Sequence, residues 1–211
     1  MLSGLKELID AAELARIEDP EETSIVSDVD WQTYEALLTR LENNSHYRVT
    51  YLNGILEIVS PSIRHEKIKK RLATLLERYL ISRQIQHTPL GSTTLKDRLK
   101  NAGAEPDECY CIGAEKDIPD LAIEVNITSG NINKLATYQQ LGVAEVWFWE
   151  GNRLKLYYLR EETGLDSSLT YGYAQIDRSE LLPDLNIALL SECTLVSDQL
   201  QSIGEFDRGI E

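Results

Sequence analysis

The dipeptide Pro-Asp occurs twice within residues 104–134, AEPDECYCIGAEKDIPDLAIEVNITSGNINK, and Glu124 follows the second copy. An aspartate at the mouth of one strand, facing an acid on the next, makes a site of hard oxygen ligands. Only one of Asp107 and Asp120 can face Glu124. With DECYCIG and IPDLAIE as two strands joined by the loop 114–117, and Gly113 set against Ile118, Asp107 falls directly across from Glu124. Opposed residues of an antiparallel pair project to one face with Cβ atoms about 4.5–5.5 Å apart. Two carboxylates at that separation repel unless a proton or a cation lies between them. Mg²⁺ accepts one or two carboxylates and retains several waters, which suits such a pair. Asp120 shares the face of Glu124 but lies four residues along the strand, roughly 13 Å away at about 3.3 Å per residue. It reads as a turn residue capping the strand start after Pro119. The alternative for Asp107 and Glu124 is a solvent-facing acidic pair at a sheet end.

Beyond Glu124 come Val125 and Asn126, the loop ITSGN, and a helix with Lys134 in its first turn. A lysine beside a bound water and a phosphate can orient the one and offset charge on the other. The alternative is an ordinary solvated lysine. Cys109 and Cys111 share the Asp107 face by strand alternation, but no second Cys/His pair at ligand spacing follows. They read as small buried thiols rather than zinc ligands.

The elements that must position these residues follow from periodicity. Asp28 or Asp30 caps a helix bearing Trp31, Tyr34, Leu37, Leu38 and Leu41 at helical spacing. YRVTYLNGILEIVS is a hairpin around Asn53-Gly54, ended by Pro61-Ser62. The segment 64–83 carries Ile68, Leu72, Leu75, Leu76 and Tyr79 on one stripe of an amphipathic helix, with His65 at its start as a surface cap or site rim. Residues 87–125 alternate strand-like runs with polar loops. NINKLATYQQLG is a helix closed by Gly142, and AEVWFWEGNRLKLYYLR is a second hairpin turning at Gly151-Asn152. Trp147 and Trp149 share one face there, as core or dimer contacts. A strand near LTYGYAQI and the segment LLPDLNIALL complete an α+β arrangement, helices packed on a mixed sheet. Residues 1–25 read as an acidic arm, loosely held or a short helix, and 26–211 as a single domain.

Lys67, Lys69, Lys70, Arg71 and Arg78, with Lys96, Arg98 and Lys100, are the basic cluster: a solvated helix face or a phosphate-tracking cleft edge. The net charge of −14 over 211 residues argues against broad nonspecific binding to nucleic acid but leaves room for a small basic groove. Three cysteines fit no disulfide framework and favour a reducing, cytoplasmic setting. No apolar run approaches the roughly 18 residues of a membrane span.

The stretches LEIVSPSIRHEKI, GSTTL, EPDECY, PDLAIEVNITS and KLATYQQLGVAEVWFW resemble the Uma-type restriction endonuclease family of the PD-(D/E)XK nuclease superfamily, over roughly residues 27–190. The resemblance implies a restriction endonuclease-like core: a mixed central sheet flanked by helices. It implies that Asp107 is the motif aspartate, Glu124 the acid of the third motif, and the Val125 carbonyl a further ligand of Mg²⁺ or Mn²⁺. Asn126 stands where the usual lysine belongs, and the family's displaced lysine points to Lys134. Glu57 and His65 match positions near the site. The expectation is a Mg²⁺-dependent endonuclease acting on DNA, a homodimer. Its rival is a catalytically silent nuclease-fold module that binds nucleic acid or a protein partner, which Asn126 and the net charge favour. A weaker third reading is a purely structural homodimer built on the Trp147/Trp149 hairpin.

Overall fold

The computed structural model describes residues 21–42, 46–126, 133–160 and 170–211. The loop ITSGN and most of the N-terminal arm lie outside the described residues. Eleven strands in two sheets and five helices are present among them.

The hairpin around Asn53-Gly54 joins β2 (Arg48–Leu52) to β3 (Ile55–Ser60). Both turn residues have positive φ, 47° and 89°, the conformation that matches the twist of a two-residue hairpin turn. β1 (Glu22–Val26) pairs with the far side of β3. The end of the segment read as an arm is therefore a strand. Its five residues alternate in burial, but with only Ile25 and Val26 apolar the pattern is too short to stand out. β5 (Leu95–Asp97) and β6 (Ala102–Ala104) extend the other edge, giving the antiparallel order β1-β3-β2-β6-β5. The helix α1 (Trp31–Leu41), whose N-cap Asp30 accepts from the Thr33 N–H at 2.7 Å, covers this sheet with Tyr34 and Leu37.

The second sheet is mixed. β4 (His87–Pro89), β7 (Glu108–Ile112), β8 (Leu121–Val125), β9 (Glu145–Glu150), β10 (Arg153–Leu159) and β11 (Tyr173–Ile176) follow the order β11-β10-β9-β8-β7-β4. Only β8 and β9 run parallel. They are joined through α3 (Lys134–Leu141), capped by Asn133 and stopped by Gly142 in the left-handed conformation. On one face, α2 (Ile63–Ser82) places Ile68, Leu72, Leu75, Leu76 and Tyr79 against Tyr110, Leu121, Ile123 and Val125. Burying each such aliphatic side chain contributes about 1.5–3 kcal/mol.

Trp147 and Trp149 are in this core, 0% and 2% exposed. The hairpin therefore offers no tryptophan face for a dimer, and that reading of the pair is overturned. Packed beside α2 are α4 (Ile187–Leu195) and α5 (Gln199–Ile210). The sequence reading left α5 out.

On the opposite face of the mixed sheet, α3 is buried along most of its length. Leu135, Tyr138 and Leu141 meet Ala122, Val146 and Phe148 of one sheet and Leu95, Ala102 and Ala104 of the other. This sandwiching brings the start of α3, the end of β8 and the middle of β3 to one place.

Candidate active site

The register expected for the two strands is the one observed: Glu108, Cys109 and Tyr110 face Ile123, Ala122 and Leu121. The ladder stops there, so the Val125 N–H on the same strand edge lacks a backbone partner. The Asp107 carboxylate supplies one, Oδ2 accepting at 2.8 Å. Asp107 is thereby held at the end of β7, beside Glu124 on β8.

Asp120 is elsewhere, as its spacing requires. One oxygen accepts from the Ile112 N–H at 2.8 Å and the other from Lys116 Nζ at 2.5 Å.

Glu124 is buried and held at both oxygens from α3. Lys134 Nζ donates to Oε2 at 2.6 Å, and the Tyr138 hydroxyl donates to Oε1. Tyr138, which no motif singles out, lies four residues after Lys134 and so on the same helical face, the one signal that points to it. Lys134 is not an ordinary solvated lysine, since its side chain is only 14% exposed. Burial disfavours its ammonium, but Glu124, then Asp107, with a smaller contribution from Glu57, raise its pKa. Burial pushes the Glu124 carboxyl up, Lys134 pulls it down and Asp107 adds a further rise; it remains raised.

His65 is buried, contrary to the expectation of a surface cap or rim. Ser62 caps α2, accepting from the His65 N–H at 3.1 Å, and the packed helix start turns the imidazole inward. Its Nε2 lies 2.9 Å from Asp107 Oδ1 and its Nδ1 3.2 Å from Glu21 Oε2. Between two acceptor carboxylates, donation from both ring nitrogens favours the imidazolium. Burial alone would lower its pKa, but the bonds to Asp107 and Glu21 and their charges raise it to about 9. For Asp107, burial would raise the carboxyl, but the His65 bond and charge, Lys134 and the Val125 N–H together hold it below the ordinary value. Arg48, which no motif or spacing singles out, stands 3.9 Å from both Asp107 and Glu66. Glu57 on β3 is fully buried.

The His65 contacts imply a pH dependence of stability. A folded-state pKa raised from 6.5 to about 9 contributes stability in full below pH 6.5, and the contribution is lost as pH rises through about 9. At about 1.36 kcal/mol per unit this is on the order of 3 kcal/mol. In metal-free buffer, urea unfolding of the wild type is expected to weaken between pH 6.5 and 9, while His65→Gln stays flatter. Parallel curves for the two proteins would mean that the ring is not charged in the fold.

Asn126, on the Glu124 face by alternation, donates through its side-chain amide to Glu150 Oε1 at 3.4 Å. Cys109 and Cys111 are buried; their thiols donate to the Gly91 and Lys116 carbonyls at 3.2 and 3.5 Å, and burial pushes the Cys109 thiol up to about 12. Among the described residues no group of three or more His, Cys, Asp and Glu is placed to hold a metal ion, zinc included. The basic cluster is divided. Lys69 is buried on Glu66 at 2.7 Å, Arg78 pairs with Asp207, and Lys96 pairs with Glu35 at 3.4 Å on the other sheet.

A mixed sheet with an acid at the end of one strand, a second on the next and a lysine on the following helix defines a restriction endonuclease-like core. The family model Uma2, described as "Putative restriction endonuclease", matches residues 31–190, and the chain belongs to that family. No curated protein matches the chain. No helix among the described residues is long and apolar enough to cross a membrane.

Proposed function

We propose that this protein is a DNA endonuclease that hydrolyses phosphodiester bonds with Mg²⁺ or Mn²⁺. The observation that carries the reading is the Lys134 ammonium, only 14% exposed and donating at 2.6 Å to Glu124, the residue opposite Asp107 in the strand register. A spot that holds an ammonium against Glu124, across the strand pair from Asp107, suits a metal cation as well. The donor set fits a hard ion: the Asp107 and Glu124 carboxylates, with the Val125 carbonyl. The N–H and carbonyl of one strand residue face the same strand edge, and the Val125 N–H is directed at Asp107. Two carboxylates and a carbonyl suit Mg²⁺, which keeps the rest of its shell as water.

When bound, such an ion lowers the pKa of an attacking water and polarises the phosphate. The protein's own groups do the rest. Tyr138 fixes the rotamer of Glu124 and the Val125 N–H fixes that of Asp107, so both carboxylates face the scissile phosphate without reorganising. His65 holds Asp107 as an anion at neutral pH. Lys134 offsets the charge that develops on the phosphate oxygens.

The silent-module reading gains, beside Asn126 and the net charge, the Lys134 ammonium's existing bond to Glu124 at 2.6 Å. A cleavage assay separates the two. Supercoiled plasmid, linear duplex and single-stranded DNA are each incubated with Mg²⁺, Mn²⁺ or EDTA. Nicking or linearisation with either metal and none with EDTA is expected. Wild type that binds DNA yet cuts none of these forms with either metal would leave the binding module standing.

A further inference from the structure

A groove of about 1020 Å³ runs along the exposed side of α2, with Thr194–Gln199 as its opposite wall. Arg64, Lys67 and Arg71 stand at i, i+3 and i+7 on the helix, with Lys70 beside them, so four cations share one stripe of a protein whose net charge is −14. Arg71 is anchored across the groove, donating to the Val196 carbonyl at 2.7 Å. Lys67 makes no ion pair among the described residues, and Lys70 is 73% exposed with Glu108 at 3.9 Å. The acids of the lining are Glu66, already neutralised by Lys69 at 2.7 Å, and Glu22 at the rim.

The wall of the groove packs against the candidate active site through Arg48, though neither Asp107 nor Glu124 lines the groove itself. Glu66 on its wall and Asp107 in the site both stand 3.9 Å from Arg48, and the Glu108 that approaches Lys70 is the residue after Asp107.

We infer that this groove holds the phosphate backbone of duplex DNA beside the cleavage point, an assignment that rests on the nuclease reading for its substrate. Residues 64 to 71 span about 10 Å of helix at 1.5 Å per residue, the axial length of about three base steps along one strand. A concave, cation-lined groove beside the site matches that repeat. A merely solvated helix face needs no such concavity.

Equilibrium binding of a short labelled duplex, followed by anisotropy in EDTA across a salt series, tests this apart from catalysis. The variant is Lys67→Glu with Lys70→Glu. The control is Lys96→Glu with Lys100→Glu, which changes net charge equally on the other sheet. Wild type is expected to bind with a steep salt dependence. The groove variant is expected to bind about tenfold or more weakly, with the slope of log K against log salt shallower by nearly two, at about 0.9 per lost phosphate contact. The control should keep the wild-type slope, and all three proteins should melt alike. Equal losses in groove variant and control, or no duplex binding by wild type, would overturn the assignment. If wild type cleaves nothing yet the groove variant alone loses binding, the nuclease reading fails and the groove stands.

Discussion

Lys134→Ala is expected to slow phosphodiester cleavage by about 10²–10³-fold, the usual cost of removing one preorganised charge from a transition state. DNA binding should change much less, because the loss falls on turnover rather than on the ground state. The structure adds a second expected effect. Lys134 pairs with Glu124 at 2.6 Å in a buried setting, so the variant strands a carboxylate beside Asp107. Breaking a buried pair by removing one partner costs about 3–5 kcal/mol. Metal-free Lys134→Ala should therefore be markedly less stable to urea, where a surface lysine would change stability little. Saturating Mg²⁺ should recover much of that loss, since a cation at the same carboxylates replaces the ammonium. Adding Asn126→Lys tests whether charge on the Glu124 face can serve from the strand instead of the helix; partial recovery of cleavage is the expected result. Cleavage by Lys134→Ala at the wild-type rate would leave the metal ligands intact but remove the lysine from the chemistry.

The placement of Asp107 opposite Glu124 was legible because the two strands are joined by a short loop, which ties register to sequence spacing. The rise per strand residue then excluded Asp120, which shares the face of Glu124 but lies four residues along it, without any knowledge of the rest of the fold. Helix α2 was legible for a similar reason, its buried residues recurring at helical spacing along one stripe. What could not be read locally is burial imposed by distant elements. Lys134 looked like a first-turn surface lysine because the antiparallel sheet, whose Ala102 and Ala104 close over α3, is set by residues far away in sequence. His65 looked exposed because its second partner, Glu21, lies in a segment with no apolar periodicity to fix its course. Helix α5 was a different kind of miss. Asp198 caps it, accepting from the Gln201 N–H at 2.7 Å, and Ile203, Phe206 and Ile210 face inward, but Gly204 and Gly209 weaken its helical signature.

Asp107→Asn is expected to abolish the stabilisation that Mg²⁺ or Mn²⁺ confers on the wild type, and cleavage with it. An ion that binds only the folded state raises stability by about 2.7 kcal/mol at one hundred times its Kd, so the wild-type melting temperature should climb with metal and that of the variant should stay flat. The sign of the metal-free effect is the more searching part. If repulsion between Asp107 and Glu124 dominated the empty site, neutralising Asp107 would stabilise the fold. The site around Asp107 argues otherwise. His65, Lys134 and the Val125 N–H together hold its carboxyl below the ordinary value, so the fold favours the anion. A carboxyl with a depressed folded pKa contributes stability that is fully present above its unfolded pKa and is lost as pH falls through the folded one. At neutral pH the charge is therefore stabilising, and removing it also leaves the buried His65 imidazolium one carboxylate short. Hydrogen bonds to charged groups contribute about 1.5–3 kcal/mol, and a loss of that size is expected for metal-free Asp107→Asn. Denaturant melts of both proteins in EDTA, with and without excess Mg²⁺, read both effects at once. A variant more stable than wild type in EDTA would show that the Glu124 repulsion wins, and an equal metal shift in the two proteins would put the ion somewhere other than Asp107.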